Sequence, residues 1–216
     1  MQNGTNPPIT PGLEGVIAAE TRLSSVNGQI GELIIAGFAV EELANKATFE
    51  ETAYLLWYGR LPNPAELIDF KARLVTLRSL PPTTLQLLKV VATEKISAMD
   101  ALRMAAGTLN VGLSNSHEEA ALALTARFPT IVAAYWRLLH RQEAIEPDPT
   151  LYHAANYLTM LNAKRPSAAQ VRGLETYLNT VVDHGLNAST FAARVIISTQ
   201  SDMVSAVVGV KNRQNG

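Results

Sequence analysis

Val182-Asp183-His184-Gly185-Leu186-Asn187-Ala188-Ser189-Thr190-Phe191 lies between two helix-forming runs, and its reading decides the fold. Upstream, Ser167-Ala168-Ala169-Gln170 has the form of a capping box and opens a helix expected to end at Asp183. Downstream, Asn187 or Ser189 can cap a second helix, expected from about 187 to 210. Gly185 suits the turn between them. His184 therefore sits at a helix-to-helix junction. There it donates one hydrogen bond when neutral and two when charged, beside helix amides that favour an anion. The constellation suits a small carboxylate ligand. The plainer alternative is a histidine that ties the junction together by capping a carbonyl.

Working outward, helix signals recur. The 187–210 run carries Phe191, Val195, Ile196, Ile197, Met203, Val204, Val207 and Val208, an apolar surface too wide for a single outer helix. It is expected either to run through a core or to form a subunit interface. Thr48-Phe49-Glu50-Glu51 and Ser116-His117-Glu118-Glu119 are further capping boxes. Asn63-Pro64-Ala65-Glu66 adds proline at the first helical position and predicts a helix over 64–79, with Leu67, Phe70, Leu74 and Leu77 on one face. Pro81-Pro82 ends that helix and starts the next. The helix after Ser116 is expected to be interrupted or kinked at Pro129, and Asp148-Pro149 to open a helix through Leu161. Strand character is confined to a hairpin near 22–35, where Asn27-Gly28 suits a two-residue turn with positive φ at both positions. The expected fold is all-α, a multi-helical domain with a small N-terminal β-hairpin.

Bulk properties narrow the function. The 216 residues are 47% hydrophobic and 17% charged, with formal net charge −1, enough to build a core and without the basic excess that nucleic acid requires. No cysteine is present, which removes disulfides, thiolate nucleophiles and cysteine-ligated metals. No apolar run approaches a membrane span, and residues 1–11 read as a flexible arm rather than a secretory signal. Gly-rich phosphate loops, a Gly-x-Ser-x-Gly elbow and histidine pairs at metal-ligand spacing are missing. Of the four histidines, His117 and His140 are expected in solvent and His153 packed on its helix. Asp100 and Arg103, three apart, read as a surface ion pair, and Trp57 and Trp136 as core.

The Asp183–Phe191 segment resembles the histidine motif of bacterial citrate synthases and 2-methylcitrate synthases. Gly12-Leu13-Glu14-Gly15-Val16, Met99-Asp100-Ala101-Leu102-Arg103, Phe128-Pro129-Thr130-Ile131-Val132-Ala133-Ala134-Tyr135 and His153-Ala154-Ala155-Asn156-Tyr157-Leu158 extend the resemblance over about 11–210, in the family's order. It departs from the family at Ala36, where arginine is frequent, and at Ala98, where proline is frequent.

The resemblance implies a cytoplasmic acyltransferase of the tricarboxylic acid cycle. It would condense acetyl-CoA with oxaloacetate and need no cofactor beyond the coenzyme A thioester substrate. His184 matches the family's first active-site histidine, which contacts oxaloacetate, and Asn187 supports the same site; no metal ligand is implied. On this reading residues 12–210 are the N-terminal, large-domain portion of such an enzyme. The polar tail 211–216 does not match, and the small domain with the later catalytic segments is absent. The chain alone is then expected to be inactive. Its expected partners are oxaloacetate and acetyl-CoA in the complete enzyme, and a second copy or a chain carrying the remaining part. Neither nucleic acid nor membrane is among them. Part of a 2-methylcitrate synthase, part of a citryl-CoA lyase, and a non-catalytic helical dimerisation module are the alternatives.

Overall fold

The computed structural model describes residues 19–110 and 116–210. The expected arm, the 12–16 segment and the 211–216 tail lie outside the described residues.

A small sheet comes first. β1 (Ser24–Asn27) and β2 (Glu32–Ile35) pair antiparallel, with Ser24 opposite Ile35 and Asn27 opposite Glu32. The hairpin is where it was expected, but Asn27-Gly28 does not make its two-residue turn. Asn27 Oδ1 instead accepts from Gln29 N at 3.2 Å, the local bond for which asparagine is prone. The loop then runs on to Gly31, which takes the positive φ of 70°. The two-residue turn with both positions left-handed lies one step further, at Ala36 (φ 47°) and Gly37 (φ 90°). It leads into β3 (Phe38–Ala39), a strand the sequence reading missed. Alanine in that conformation costs about 1–2 kcal/mol, so residue preference pointed to the wrong pair.

Ten helices follow among the described residues: α1 (Val40–Lys46), α2 (Phe49–Tyr58), α3 (Pro64–Thr76), α4 (Pro82–Thr93), α5 (Ala98–Ala106), α6 (His117–Leu139), α7 (His153–Asn162), α8 (Ala168–Val181), α9 (Ala188–Ser198) and α10 (Met203–Val208). The capping boxes at Thr48, Asn63 and Ser167 form in both halves, while Ser116 accepts from Glu119 N. No described helix is long and apolar enough to cross a membrane.

Two helix expectations need correction. Asp148-Pro149 opens a turn, not a helix: Asp148 Oδ1 accepts from Thr150 N at 2.8 Å, and α7 begins at His153. The single helix expected over 187–210 is two. Gln200 is left-handed (φ 64°), and Asp202 Oδ1 accepts from Ser205 N at 2.8 Å, so a fresh cap starts α10. The pair turns back tightly, and a Cβ on Gly209 would collide with Ile196 Cδ1.

The core explains the order of packing. α6 is the spine. Leu122 and Ala126 meet Phe70 and Leu74 of α3, and Leu124, Ile131, Ala134 and Tyr135 meet Leu88, Val91, Ala101 and Val204. Pro129 lies within α6 without ending it, and neighbouring side chains tie α6 to the end of α3. Thr130 Oγ1 donates to Arg78 O at 3.0 Å, and Arg127 Nε to Leu77 O at 3.1 Å. A third cluster of Ile35, Leu43, Ala47 and Leu55 joins sheet, α1 and α2, with Val182 packed against it. Trp57 packs on the α2–α3 cluster as expected, but Trp136 does not. Trp136 is 51% exposed, its ring tilted against His140 with centroids 4.2 Å apart, because its position faces outward from α6.

Helix α8, which leads to His184, is clamped to α1. The last carbonyls of a helix have no intrahelical partner. Those of α1 are taken by α8 side chains: Thr176 Oγ1 donates to Ala44 O at 3.0 Å, Arg172 Nη1 to Ala47 O at 2.9 Å, and Asn179 Nδ2 to Ala47 O at 2.8 Å. These bonds are buried or half-buried and fix the rotation of α8 three turns or fewer before the junction.

Candidate dicarboxylate site at the α8–α9 junction

His184 and Asn187, singled out from sequence, come together. Asn187 caps α9, its Oδ1 accepting from Thr190 N at 2.8 Å and from Thr190 Oγ1 at 3.1 Å. With Oδ1 committed, the group it turns to His184 is Nδ2, 3.4 Å from Nε2. Nδ2 can only donate, so in this contact Nε2 is the acceptor and Nδ1 is left as the ring's donor. The free Nδ1–H is a donor available to a ligand oxygen. The positive end of α9 lies alongside. Both side chains are exposed, so the donor pair sits on an open surface.

Asp183 does not serve the imidazole directly. Its Oδ1 accepts from Gly185 N at 3.0 Å and from the Ser24 hydroxyl. Gly185 adopts φ 95°, where only glycine is unstrained, which gives the turn its shape. Ser24 was invisible to sequence reasoning. It lies 159 positions away, and no local spacing links a hairpin serine to this motif.

The other histidines are placed as expected. His117 and His140 are exposed, and His153 is buried and stacked on Phe49 with ring centroids 4.2 Å apart. Burial, and then the nearby Arg78 cation, push the His153 imidazole down to about 3, so it is neutral in the folded protein. Asp100 and Arg103 form a surface pair at 3.7 Å. Among the described residues no group of three or more histidine, aspartate or glutamate side chains is arranged to hold a metal ion.

An apolar surface flanks the junction. Helix α9 contains no buried residue, and Phe191 (40%) and Val195 (49%) stand in solvent with Tyr177 and Val181 of α8. Of the apolar width noticed in the sequence, the α10 part (Met203, Val204, Val207 and Val208) packs in the core, whereas Phe191 and Val195 of α9 remain in solvent.

Fold and site define an α-helical domain that presents an imidazole and an amide at a helical junction. The chain belongs to the citrate synthase family. The family model described as "Citrate synthase, C-terminal domain" matches residues 12–210. The citrate synthase of Haloferax volcanii is 38% identical over 215 residues, covering 95% of this chain and 57% of that protein. A 2-methylcitrate synthase of Mycobacterium tuberculosis is 37% identical over 219 residues, covering 97% and 56%. Among solved structures, the citrate synthase of Thermotoga maritima superposes with TM-score 0.84 at 38% identity, covering 94% of this chain and 55% of that one. That of Thermoplasma acidophilum, in ternary complex with carboxymethyl coenzyme A and oxaloacetate, does so with TM-score 0.84 at 25% identity, covering 95% and 55%. The chain thus spans little more than half the length of these relatives. Citrate and 2-methylcitrate synthases match this chain at nearly equal identity.

Proposed function

We propose that this chain supplies the oxaloacetate-gripping part of a citrate-synthase-type acyltransferase. The observation that carries the reading is the His184–Asn187 pair, in which the amide that caps α9 also meets the imidazole at Nε2 and leaves Nδ1 to a ligand. In the condensation, a carboxylate base removes a proton from the acetyl methyl of acetyl-CoA, the resulting carbon attacks the oxaloacetate ketone, and thioester hydrolysis releases coenzyme A. His184 donates a hydrogen bond to an oxaloacetate oxygen. Its charge-assisted form strengthens as negative charge develops there. Asn187 holds the ring in one tautomer. Proton transfer and hydrogen bonding do this work, so the proposed chemistry calls for no metal.

Asp183, the carboxylate next to His184, is held by Ser24 and Gly185 and is not offered as the deprotonating base. The reading therefore assigns the base and the enolate-stabilising imidazole to the part of the relatives' length that this chain does not span. Exposed Phe191 and Val195 favour a compatible second reading, in which this face is covered by another copy or by a chain carrying the family's remaining half. The proposed setting is the cytoplasm, in keeping with the absence of cysteine.

Oxaloacetate titrated into the labelled chain tests the assignment. The His184 imidazole signals are expected to shift saturably, and His184→Ala to weaken binding at least about tenfold, the loss of one hydrogen bond to a charged ligand. Equal affinity in wild type and His184→Ala would remove His184 from the site.

A further inference from the structure

We propose that Ser24 and Asp183 are positioning residues for His184, so that the N-terminal hairpin governs how the imidazole is presented. This rests on the His184 reading for its ligand, and on hydrogen bonds outside that reading for its geometry.

Asp183 Oδ1 gathers two donors, the Gly185 amide at 3.0 Å and the Ser24 hydroxyl. The first bond closes the turn that carries His184, and the second fastens that turn to β1. Ser24 occupies a fixed place at the open end of the β1–β2 hairpin, opposite Ile35 and beside the β2–β3 turn, with Leu23 O accepting from Ala36 N at 2.8 Å. Val182, the next residue back, packs on the cluster containing Ile35 and Leu43. The segment before the imidazole is therefore gripped twice by the hairpin region, while Asn187 grips it from α9.

Two consequences follow for a dicarboxylate site. Gly185 at φ 95° has left-handed geometry, and glycine readily leaves it when nothing holds it, so the Asp183 bond selects the turn. The Asp183 charge is also pinned toward β1. Released, it is free to turn toward the imidazole and repel an incoming carboxylate. Ser24 thus controls both the direction of the ring and the sign of the potential beside it, without touching the ligand.

Ser24→Ala and Ser24→Thr, made in the full 216-residue chain, test this. With Ser24→Ala, Gly185 amide exchange is expected to quicken about tenfold, as for the loss of one charge-assisted hydrogen bond. The His184 ring nitrogens should move from a single-tautomer pattern to an averaged one. Amides of the buried Leu74 and Leu88 should keep their protection, which separates positioning from general loosening. Ser24→Thr retains the hydroxyl and is expected to restore both signals. Unchanged Gly185 exchange and His184 signals in Ser24→Ala would overturn the proposal. So would oxaloacetate binding that is equal in wild type and Ser24→Ala. Failure of every form to bind oxaloacetate would count against the ligand assignment alone, while the His184 and Gly185 signals would still decide the positioning.

Discussion

Replacing Glu50 by alanine is expected to cost about 3 kcal/mol of folding stability, the scale for breaking a buried charged hydrogen bond. Glu50 is 1% exposed, on α2, and its Oε1 accepts from His153 N at 2.8 Å. That amide is the first of α7, whose N-cap is Tyr152, with no side-chain cap bond. The carboxylate thus caps, from 103 positions away, a helix that cannot cap itself. It also offsets the buried Arg78, whose Nη1 donates to Leu151 O at 2.6 Å, just before α7. Alanine leaves an amide without its acceptor and a buried guanidinium with Asp148 as its remaining counter-charge. Glu50→Gln keeps an acceptor and should lose roughly half as much. Urea unfolding followed by circular dichroism measures both; an alanine variant within about 0.5 kcal/mol of wild type would contradict the capping role.

The same unfolding series has a pH dependence. His153 is held at about 3 by burial and Arg78, whereas in the unfolded chain it titrates near about 6.5. Between those values the unfolded state binds the extra proton. Its contribution to stability is therefore present above about pH 6.5 and is lost as pH falls toward 3.

Phe70→Ala is expected to cost about 3–5 kcal/mol, the range for a buried phenylalanine whose cavity cannot collapse. Phe70 is 2% exposed and is the ring on which three aromatics meet edge-on: Tyr54 at 5.5 Å, Trp57 at 5.7 Å and Tyr58 at 6.5 Å. All three lie on α2, so the ring joins α3 to the helix that carries Glu50. Leu74 and Leu122 line the same cluster, and large neighbours on rigid helices relax poorly into a void. Phe70→Leu keeps most of the volume and should cost about 1.5 kcal/mol or less. Thermal or urea unfolding of the two variants checks the order. Equal stability for Phe70→Ala and Phe70→Leu would mean the cluster repacks freely.

Helix starts were legible because capping is local chemistry. Thr48, Asn63 and Ser167 each met the partner residue three positions on, and the structure forms both halves of each box. The misreadings share one cause, a local signal outweighed by another bond. Asn27 turned its side chain onto Gln29, Asp148 made a turn with Thr150, and Asp202 cut a long apolar run in two. The α7 start could not be read from its own neighbourhood because its cap is Glu50. Of the candidate site, the contact between His184 and Asn187 was legible, since they lie three positions apart in one motif. Ser24 was not, because its partner stands across the chain on the other side of the junction. Trp136 was misplaced because an aromatic on an alanine-rich helix reads as core until the neighbouring helices show which face they cover.

The most direct test is coenzyme A release from acetyl-CoA and oxaloacetate by the purified 216-residue chain. On the proposed reading His184 and Asn187 grip oxaloacetate, while Asp183, the acid next to the imidazole, is engaged by the Gly185 amide and the Ser24 hydroxyl. General acid–base groups each contribute about 10²–10⁴-fold, so without a free base and a second imidazole no release above the uncatalysed rate is expected. Turnover at about 1–10³ s⁻¹, the ordinary range for enzymes, would show that these residues alone complete the site and would contradict the account.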